Sequence, residues 1–271
     1  MKMKPFLPIF LFFSRRLCAQ PTAVWFDKVG AEEGLTDPGI TAICRDHRGF
    51  LWLGTASAGL NRYDGWEMKV YRHNDDDSTS LCGDRIVSIL EDAEGYIWVG
   101  TWEGISRLNP ANGRCRNFTP QNGRLLDARE NCLFPDPKGH VWTSNLGGLE
   151  CFDPIARRFV SLPATHAVNI SGRAAFDSAE TLWGGGLGLH RIEPRSGTFE
   201  QYLPNPKTED RYFGSQNSTS VKIDRFGNIW VRTWGGGLQR FLPESSRFEK
   251  LEWAPKPEHP NLRNIPFDLS E

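Results

Sequence analysis

Several features that would point quickly to a function are missing from the sequence. The six cysteines form no CxxC pair, so neither a zinc site nor a thioredoxin-like redox site is predicted. Basic residues number 32 and acidic residues 33, which leaves no excess of positive charge for binding nucleic acid. Beyond residue 13 no apolar run approaches the roughly 20 residues that a transmembrane helix needs. We therefore predict no nucleic-acid partner and no membrane span in this chain.

The side-chain patterns of common catalytic and cofactor sites are also missing. The six histidines form no HExxH motif and show no metal-ligand spacing, and no Gly-x-Ser-x-Gly motif occurs. The glycine-rich stretches 184–190 and 234–240 are interpreted as hairpin turns, because a nucleotide-binding loop needs a helix after it. The acidic run 75–77 lacks a calcium-binding frame and is interpreted as a solvated loop. We predict no catalytic residue, no metal and no cofactor.

The first 19 residues have the layout of an export signal, which predicts a periplasmic location. Two lysines precede an apolar run over 5–13, and Ala19 supplies a small residue before a cleavage point. Two arginines and a leucine at 15–17 interrupt this layout, so an uncleaved or misassigned start is the alternative. Removal of the signal would leave five cysteines, an odd number, and we interpret them as small buried hydrophobic residues rather than disulfides.

Tryptophan, phenylalanine and glycine are abundant instead. The ten tryptophans and 17 phenylalanines favour β-strands, and the 27 glycines and 18 prolines indicate many turns. Five tryptophans recur at intervals of 46, 44, 41 and 47 residues, and an aspartate stands six residues before each. These pairs are Asp46 with Trp52, Asp92 with Trp98, Asp136 with Trp142, Asp177 with Trp183, and Asp224 with Trp230.

Each repeat predicts four short strands. An apolar strand leads into an Asp-x-x-Gly turn, in which the aspartate bonds to the turn backbone and the glycine accepts a positive φ. The second strand carries the tryptophan, a Gly-Thr turn leads to the third, and the fourth ends in an aromatic residue. Four strands in about 45 residues are the period of a propeller blade. We predict an all-β fold, a β-propeller of four-stranded antiparallel blades, at about 40–83, 84–129, 130–172, 173–218 and 219–258, with the start of a sixth blade at 262–271.

The tryptophans are expected to fill the wedges between adjacent blades, where a large flat side chain buries roughly 150–250 Å²; stacking on a ligand is the alternative. The inner strands are expected to be buried on both faces by neighbouring blades. The fourth repeat has Glu180 where the others have Gly49, Gly95, Gly139 and Gly227. That turn must use another geometry or carry backbone strain.

The repeated pattern, seen in full at 91–110 and joined by linkers such as 80–89, resembles the two-component regulator propeller repeats over residues 22–271. Those repeats form the exported sensor region of hybrid two-component regulators, best known from Bacteroidetes. The resemblance implies two propellers of about seven blades each, followed by a β-sandwich domain, a membrane helix and a histidine kinase. It also implies oligosaccharide ligands, and self-association of a full-length protein anchored in the inner membrane.

Under this resemblance the chain is interpreted as an N-terminal fragment, or a prematurely ended reading frame, that carries an incomplete seven-bladed ring. The stretch 24–29 would be an outer strand that completes the last blade. The kinase implied by the resemblance is absent from this chain, so no enzyme activity is expected of it.

A ligand site is predicted at the mouth of the central channel, where two kinds of loop share one face of a propeller. Polar groups there hydrogen-bond sugar hydroxyls, and an indole face stacks on sugar C–H groups; ordinary polar loops are the alternative. The loops leading into the inner strands contribute Asp84, Arg85, Arg129, Asn131, Arg173 and Ser218, and the turns between second and third strands contribute Trp102, Glu103, Asn145 and Trp234.

Two other functions remain open from the sequence. One is a propeller lyase or glycosidase resembling the streptogramin lyases, which use a metal with histidines on one face. The other is a scaffold propeller that binds another protein, which an exposed apolar patch on the channel face would favour.

Overall fold

The computed structural model describes residues 29–162, 170, 173–186, 188–194, 196–202, 218–233 and 237–250. The predicted signal peptide at 1–19 and the partial sixth blade at 262–271 lie outside these residues. Of the strand predicted at 24–29, only Val29 is described. Two short 3-10 helices, Ala31–Glu33 and Pro120–Asn122, are the helical elements within the described part.

The described residues otherwise form five antiparallel sheets of four strands, and in each sheet the strands pair in chain order. The first sheet contains β1 (Ile40–Arg45), β2 (Leu51–Thr55), β3 (Leu60–Tyr63) and β4 (Met68–Tyr71); the second β5 (Ile86–Glu91), β6 (Ile97–Thr101), β7 (Ile105–Leu108) and β8 (Cys115–Phe118); the third β9 (Cys132–Pro135), β10 (Val141–Asn145), β11 (Gly148–Asp153) and β12 (Arg158–Ser161); the fourth β13 (Ala175–Phe176), β14 (Leu182–Gly186), β15 (Gly188–Ile192) and β16 (Phe199–Tyr202); the fifth β17 (Ser218–Ile223), β18 (Ile229–Thr233), β19 (Gly237–Leu242) and β20 (Arg247–Lys250).

The first strands of neighbouring sheets lie side by side, which makes them the inner strands of a radial array. The Thr41 hydroxyl donates to the Ile86 carbonyl at 2.8 Å, and the Ser88 hydroxyl donates to the Asn131 carbonyl at 2.7 Å. Between the fourth and fifth sheets, the Val221 N–H donates to the Arg173 carbonyl at 2.8 Å. The predicted all-β propeller class is confirmed, and the number of blades in a complete ring stays a prediction.

The Asp–Trp spacing is the sequence mark of one hydrogen-bonded turn. In the second blade, Asp92 Oδ1 accepts from the backbone N–H groups of Glu94 and Tyr96, both at 3.0 Å. Asp92 Oδ2 accepts from Trp98 Nε1 at 2.7 Å. The corresponding Trp–Asp distances are 2.8 Å for Trp52 and Asp46, 3.2 Å for Trp142 and Asp136, 2.9 Å for Trp183 and Asp177, and 2.9 Å for Trp230 and Asp224.

The tryptophans also fill the wedges between blades, as predicted. The Trp98 ring lies 5.5 Å from Phe118 of its own blade and 4.8 Å from Phe152 of the next. The Trp183 ring lies 6.0 Å from Tyr202 and 5.6 Å from Phe241 of the fifth blade. Four of the five tryptophans are at most 8% exposed, so these rings are core residues rather than a surface for ligands.

The turn of the fourth blade keeps the geometry of the others and carries the strain that the sequence allowed for. Glu180 adopts φ 63°, whereas the glycines at the same position of the other blades adopt φ values of 80–90°. Left-handed backbone costs roughly 1–2 kcal/mol for a residue with a Cβ. The Glu180 carboxylate pairs with Lys138 of the neighbouring turn at 2.8 Å.

Inner strands are not all buried on both faces, and the first blade departs from that prediction. Ala42 is 1% exposed, whereas Ile43, which points to the opposite face of β1, is 43% exposed. The second blade covers one face of β1, and no other described blade covers the second.

A buried polar residue on the third strand ties down the linker that leads into each of the first three blades. Asn61 accepts a hydrogen bond from the Thr36 hydroxyl at 3.1 Å, and Ser106 Oγ accepts from the Cys82 N–H at 3.0 Å. The Glu150 carboxylate accepts from the Leu126 N–H at 3.1 Å. These bonds hold the linkers over one face of the array, where the predicted site residues lie.

Candidate functional site

Arg85 and Trp102, both predicted to lie at the mouth of the central channel, are in direct contact. The Arg85 guanidinium carbon lies 3.8 Å from the centre of the Trp102 ring, and the backbone N–H of Trp102 donates to the Arg85 carbonyl at 3.2 Å. Arg85 lies in the linker before β5, and Trp102 lies in the turn between β6 and β7. The guanidinium covers one face of the indole, a contact that stabilises by about 0.5–1 kcal/mol at exposed sites.

Glu103 and Asp84 flank this pair. The Glu103 side chain is exposed and makes no hydrogen bond within the described residues, although its backbone N–H donates to Thr101 Oγ1 at 3.0 Å. It passes so close to Gly83 that an added Cβ there would lie 1.8 Å from a carboxylate oxygen. Asp84 orders the linker, because its Oδ1 accepts from the His73 N–H at 2.8 Å.

Arg129 lies in the linker before β9 and extends the candidate site to the third blade. Its side chain is 57% exposed and pairs with Asp127, with 2.9 Å between Nη2 and Oδ2. The hydrogen bond from Arg129 lowers the pKa of Asp127 below its usual value, so both groups are charged at neutral pH. The pair offers hydrogen-bond donors and acceptors on an exposed loop.

Asn131 and Asn145 are interior residues, which corrects their placement on the loop surface. Asn131 is 0% exposed and Asn145 is 2% exposed. Asn131 Nδ2 donates to the Thr101 carbonyl at 3.0 Å and to the Ala128 carbonyl. Asn145 Nδ2 donates to Glu150 Oε2 at 2.8 Å. The linker needs internal hydrogen-bond partners where it passes under the mouth, and these two amides supply them.

The remaining predicted residues lie apart from the second and third blades or outside the described region. Arg173 is half-buried, and its carbonyl binds the Val221 N–H of the fifth blade. Ser218 begins β17, but its side chain is not described. Trp234 lies outside the described residues. The site that the structure assembles is therefore formed by the second and third blades.

Two leucines belong to this surface and were not predicted. Leu126 is 47% exposed and Leu146 is 44% exposed. Leu126 packs against Gly147, the residue after Leu146, since a Cβ added at Gly147 would come within 2.9 Å of Leu126 Cδ2. Leu146 occupies the turn position that Trp102 occupies in the second repeat, so aligning the turns would have identified it.

The mouth offers binding groups: an indole, an exposed guanidinium, a free carboxylate, an exposed ion pair and two leucines. Within the described residues no group of three or more histidine, cysteine, aspartate or glutamate side chains is placed to hold a metal ion. The described cysteines are free thiols, and burial raises the pKa of Cys115 and of Cys151 to about 12. No helix in the described part of the chain is long and apolar enough to cross a bilayer.

Comparisons with known proteins agree with the repeat pattern. The family model described as two component regulator propeller matches residues 34–57 and 80–103. Histidine kinase P4 of Formosa agariphila is 38% identical over 73 residues, which are 27% of this chain and 5% of that protein. The chain thus corresponds to a small part of the relative that it matches.

Solved structures share the fold. The extracellular domain of a hybrid two-component system from B. thetaiotaomicron superposes with a TM-score of 0.71 at 21% identity, over 83% of this chain and 31% of that one. Virginiamycin B lyase from Staphylococcus aureus superposes with a TM-score of 0.59 at 15% identity, over 81% of this chain and 71% of the lyase. The repeat motif and the matching family model agree that residues 34–57 and 80–103 are two component regulator propeller repeats, and the similar solved structures share the propeller fold.

Proposed function

We propose that this chain is a ligand-sensing module of an exported two-component signalling protein, and that it binds an oligosaccharide at the mouth formed by the second and third blades. The contact between Arg85 and Trp102, 3.8 Å from guanidinium to ring centre, is the observation that carries this proposal. It combines an aromatic ring with charged hydrogen-bonding groups on an exposed surface. The match to the two component regulator propeller model supports a sensory role.

The chemistry of the mouth suits a sugar ligand. Binding sites of this kind combine apolar or aromatic surface with a few convergent polar groups. Trp102 and Leu146 supply the apolar surface for the C–H face of a sugar ring. Arg85, Glu103 and the Asp127–Arg129 pair supply donors and acceptors for hydroxyl groups. Because Arg85 already covers one indole face, the ligand stacks on the other face or takes the place of the guanidinium.

The proposed module is extracytoplasmic and non-catalytic. Ligand binding would favour one arrangement of paired sensors over another, which is a population shift between pre-existing states. The signal would pass to the membrane and kinase domains that the resemblance to hybrid two-component regulators implies. The chain alone is therefore expected to bind a ligand without producing an output.

The test is calorimetric titration of the purified chain with a panel of neutral and acidic oligosaccharides. For a sugar that binds, Trp102→Ala and Arg85→Ala are each expected to weaken affinity about tenfold, the equivalent of about 1.4 kcal/mol. Trp66→Ala is the matched control, because Trp66 is 88% exposed in the turn between β3 and β4. If both mouth variants keep the affinity of the unmodified chain, the site is wrong; if no oligosaccharide binds, the ligand class is wrong.

A propeller lyase or glycosidase is the competing function, supported by the fold shared with virginiamycin B lyase. The same protein preparations would show metal-dependent turnover of a candidate substrate under that alternative. Binding of a sugar without turnover, sensitive to Trp102→Ala, would favour the sensor.

A further inference from the structure

An open cavity of about 500 Å³ lies between the linker that precedes β5 and the outer strand of the second blade. Its lining includes His73, Ser78, Arg116, Asn122 and Arg124. No carboxylate belongs to the lining as the structure describes it. The cavity adjoins the channel mouth, because the backbone N–H of its lining residue His73 donates to Asp84 at 2.8 Å. Its arginines lie on and after the outer strand β8, whereas Arg85 and Trp102 lie beside the inner strands.

Arg116 and Arg124 both line this cavity and have no carboxylate partner within the described residues. Arg116 lies over the Phe118 ring at 5.6 Å, and within the described chain neither arginine side chain forms a hydrogen bond or an ion pair. Other arginines on strands do: Arg107 pairs with Asp92 at 2.7 Å, and Arg240 pairs with Glu249 at 2.7 Å. The lack of a partner is shared with other arginines, since Arg62 Nε is also buried without a hydrogen-bond partner. Arg116 and Arg124 differ from these in lining one cavity together.

The two arginines lie close enough to repel each other, and a third adds to the repulsion. Partial burial lowers the pKa of Arg116, and the positive charges of Arg124 and Arg157 lower it further. Arg157 lies in the turn between β11 and β12. That blade is attached directly to the cavity wall, because the Phe159 N–H donates to the Arg124 carbonyl at 2.9 Å.

The wall that carries the arginines is held in place by amide side chains. Asn117 Nδ2 donates to the Ser80 carbonyl at 2.9 Å, and Asn122 Nδ2 donates to the Asn117 carbonyl at 3.0 Å. The His73 ring already has a partner within the protein, because its Nε2 lies 3.0 Å from Asp75 Oδ1. These groups order the wall, and the two guanidinium groups remain for a ligand.

We propose that Arg116 and Arg124 bind a tetrahedral oxyanion, a sulfate or phosphate group, in this cavity. A guanidinium group presents N–H donors in a planar fork that matches two oxygens of such an anion. A dianion between the arginines would replace their repulsion with two attractions. The site is independent of the proposed sugar site at the channel mouth.

The first experiment titrates the purified chain with inorganic sulfate and inorganic phosphate by calorimetry at constant ionic strength. The unmodified chain is expected to bind one anion saturably, and Arg116→Gln and Arg124→Gln are each expected to weaken binding at least tenfold. Arg225→Gln is the matched control, because Arg225 also lies over an aromatic ring, that of Phe226, at 4.8 Å, but in a turn of the fifth blade. Equal affinity in all four proteins, or no binding to the unmodified chain, would overturn the proposal.

A second titration distinguishes a free anion from one attached to a sugar. A sulfated disaccharide and its desulfated form are compared, each with Arg116→Gln and Trp102→Ala. Tighter binding of the sulfated form than of inorganic sulfate, lost in Arg116→Gln, would identify a sulfate ester as the source. Equal affinity would identify the free anion. In both cases Trp102→Ala should leave binding at Arg116 unchanged, so a loss there would contradict a separate site.

Discussion

The turn aspartates of the second and fourth blades make the same three hydrogen bonds, although a different residue occupies the left-handed position of each turn. Asp92 accepts from two backbone N–H groups and from Trp98, and Asp177 accepts from two backbone N–H groups and from Trp183, all at 2.9 Å. The second blade has Gly95 at the left-handed position of this turn, and the fourth has Glu180. The turn therefore tolerates a residue that the backbone disfavours, provided that the aspartate and tryptophan are present.

The third strands differ more than the turns. In the second blade Arg107 Nε and Nη2 both donate to Asp92 Oδ2, at 3.0 and 2.7 Å, and the guanidinium lies 3.8 Å from the Tyr96 ring centre. In the fourth blade Arg191 instead reaches Glu193 at 3.4 Å and Glu200 at 3.5 Å. The same residue type therefore reinforces the turn in one blade and forms a looser surface pair in the other.

The largest difference is expected from removing the two aspartates. Asp92→Ala takes the acceptor away from Trp98, from two backbone groups and from Arg107, and should lower the free energy of unfolding by about 3 kcal/mol. Asp177→Ala takes no acceptor away from an arginine and should lower it by about 2 kcal/mol. Urea unfolding followed by tryptophan fluorescence measures both, and equal losses would show that Arg107 adds nothing to the turn.

A smaller pair of effects is expected from exchanging the left-handed residues. Gly95→Ala places a Cβ at φ 80°, 3.2 Å from the His47 ring, and should destabilise by about 1–2 kcal/mol. Glu180→Gly removes the disfavoured backbone and should stabilise by about 0.5 kcal/mol after loss of the exposed pair with Lys138. Lys138→Ala, which breaks the same pair without touching the backbone, is the control and should destabilise slightly. If Glu180→Gly destabilises the protein, the interactions of the Glu180 side chain stabilise the fold by more than its left-handed backbone costs.

The smallest expected effects come from two histidines whose pKa values shift in opposite directions. Burial lowers the pKa of His190, which is 4% exposed on β15. The unfolded chain therefore binds this proton more readily than the folded one. The stability contributed by neutral His190 is present above the ordinary histidine pKa of 6.5 and is lost as the pH falls toward its lower folded value. His190→Gln, which copies Gln239 of the fifth blade, should reduce the acid sensitivity of the urea midpoint.

The pH dependence of stability expected from His73 is opposite to that expected from His190. The Leu81 carbonyl and then Asp75 raise its pKa. Its contribution is fully present below pH 6.5 and is lost as the pH rises through the raised folded value. His73→Gln should therefore destabilise the chain more at about pH 5.5 than at about pH 7.5. If both histidine variants changed the pH dependence of stability in the same direction, at least one of the two assigned pKa shifts would be wrong.

The candidate site was only partly predictable. The repeat pattern placed Arg85 and Trp102 in loops on one face, because turns and linkers occupy equivalent positions in every blade. It also placed Asn131 and Asn145 there, although their amides are used inside the molecule. Polarity and loop position do not distinguish a side chain that faces solvent from one that satisfies a buried carbonyl. Leu146 was not predicted because an aliphatic side chain in a turn gives no polar or aromatic signal for a sugar site.

The sequence by itself determined the repeat, the four-stranded blade and the Asp–Trp turn, because the groups involved lie within about one turn of chain and their spacing fixes which atoms can meet. At Glu180 it left another turn geometry or backbone strain open, and the structure shows φ 63°. The tertiary structure decided which loops adjoin. Asn131 reaches the carbonyl of Thr101, 30 residues earlier, and Arg116 and Arg124 share a cavity with the linker of the blade before them. Such contacts depend on how the blades pack against one another, which the spacing within a single repeat does not encode.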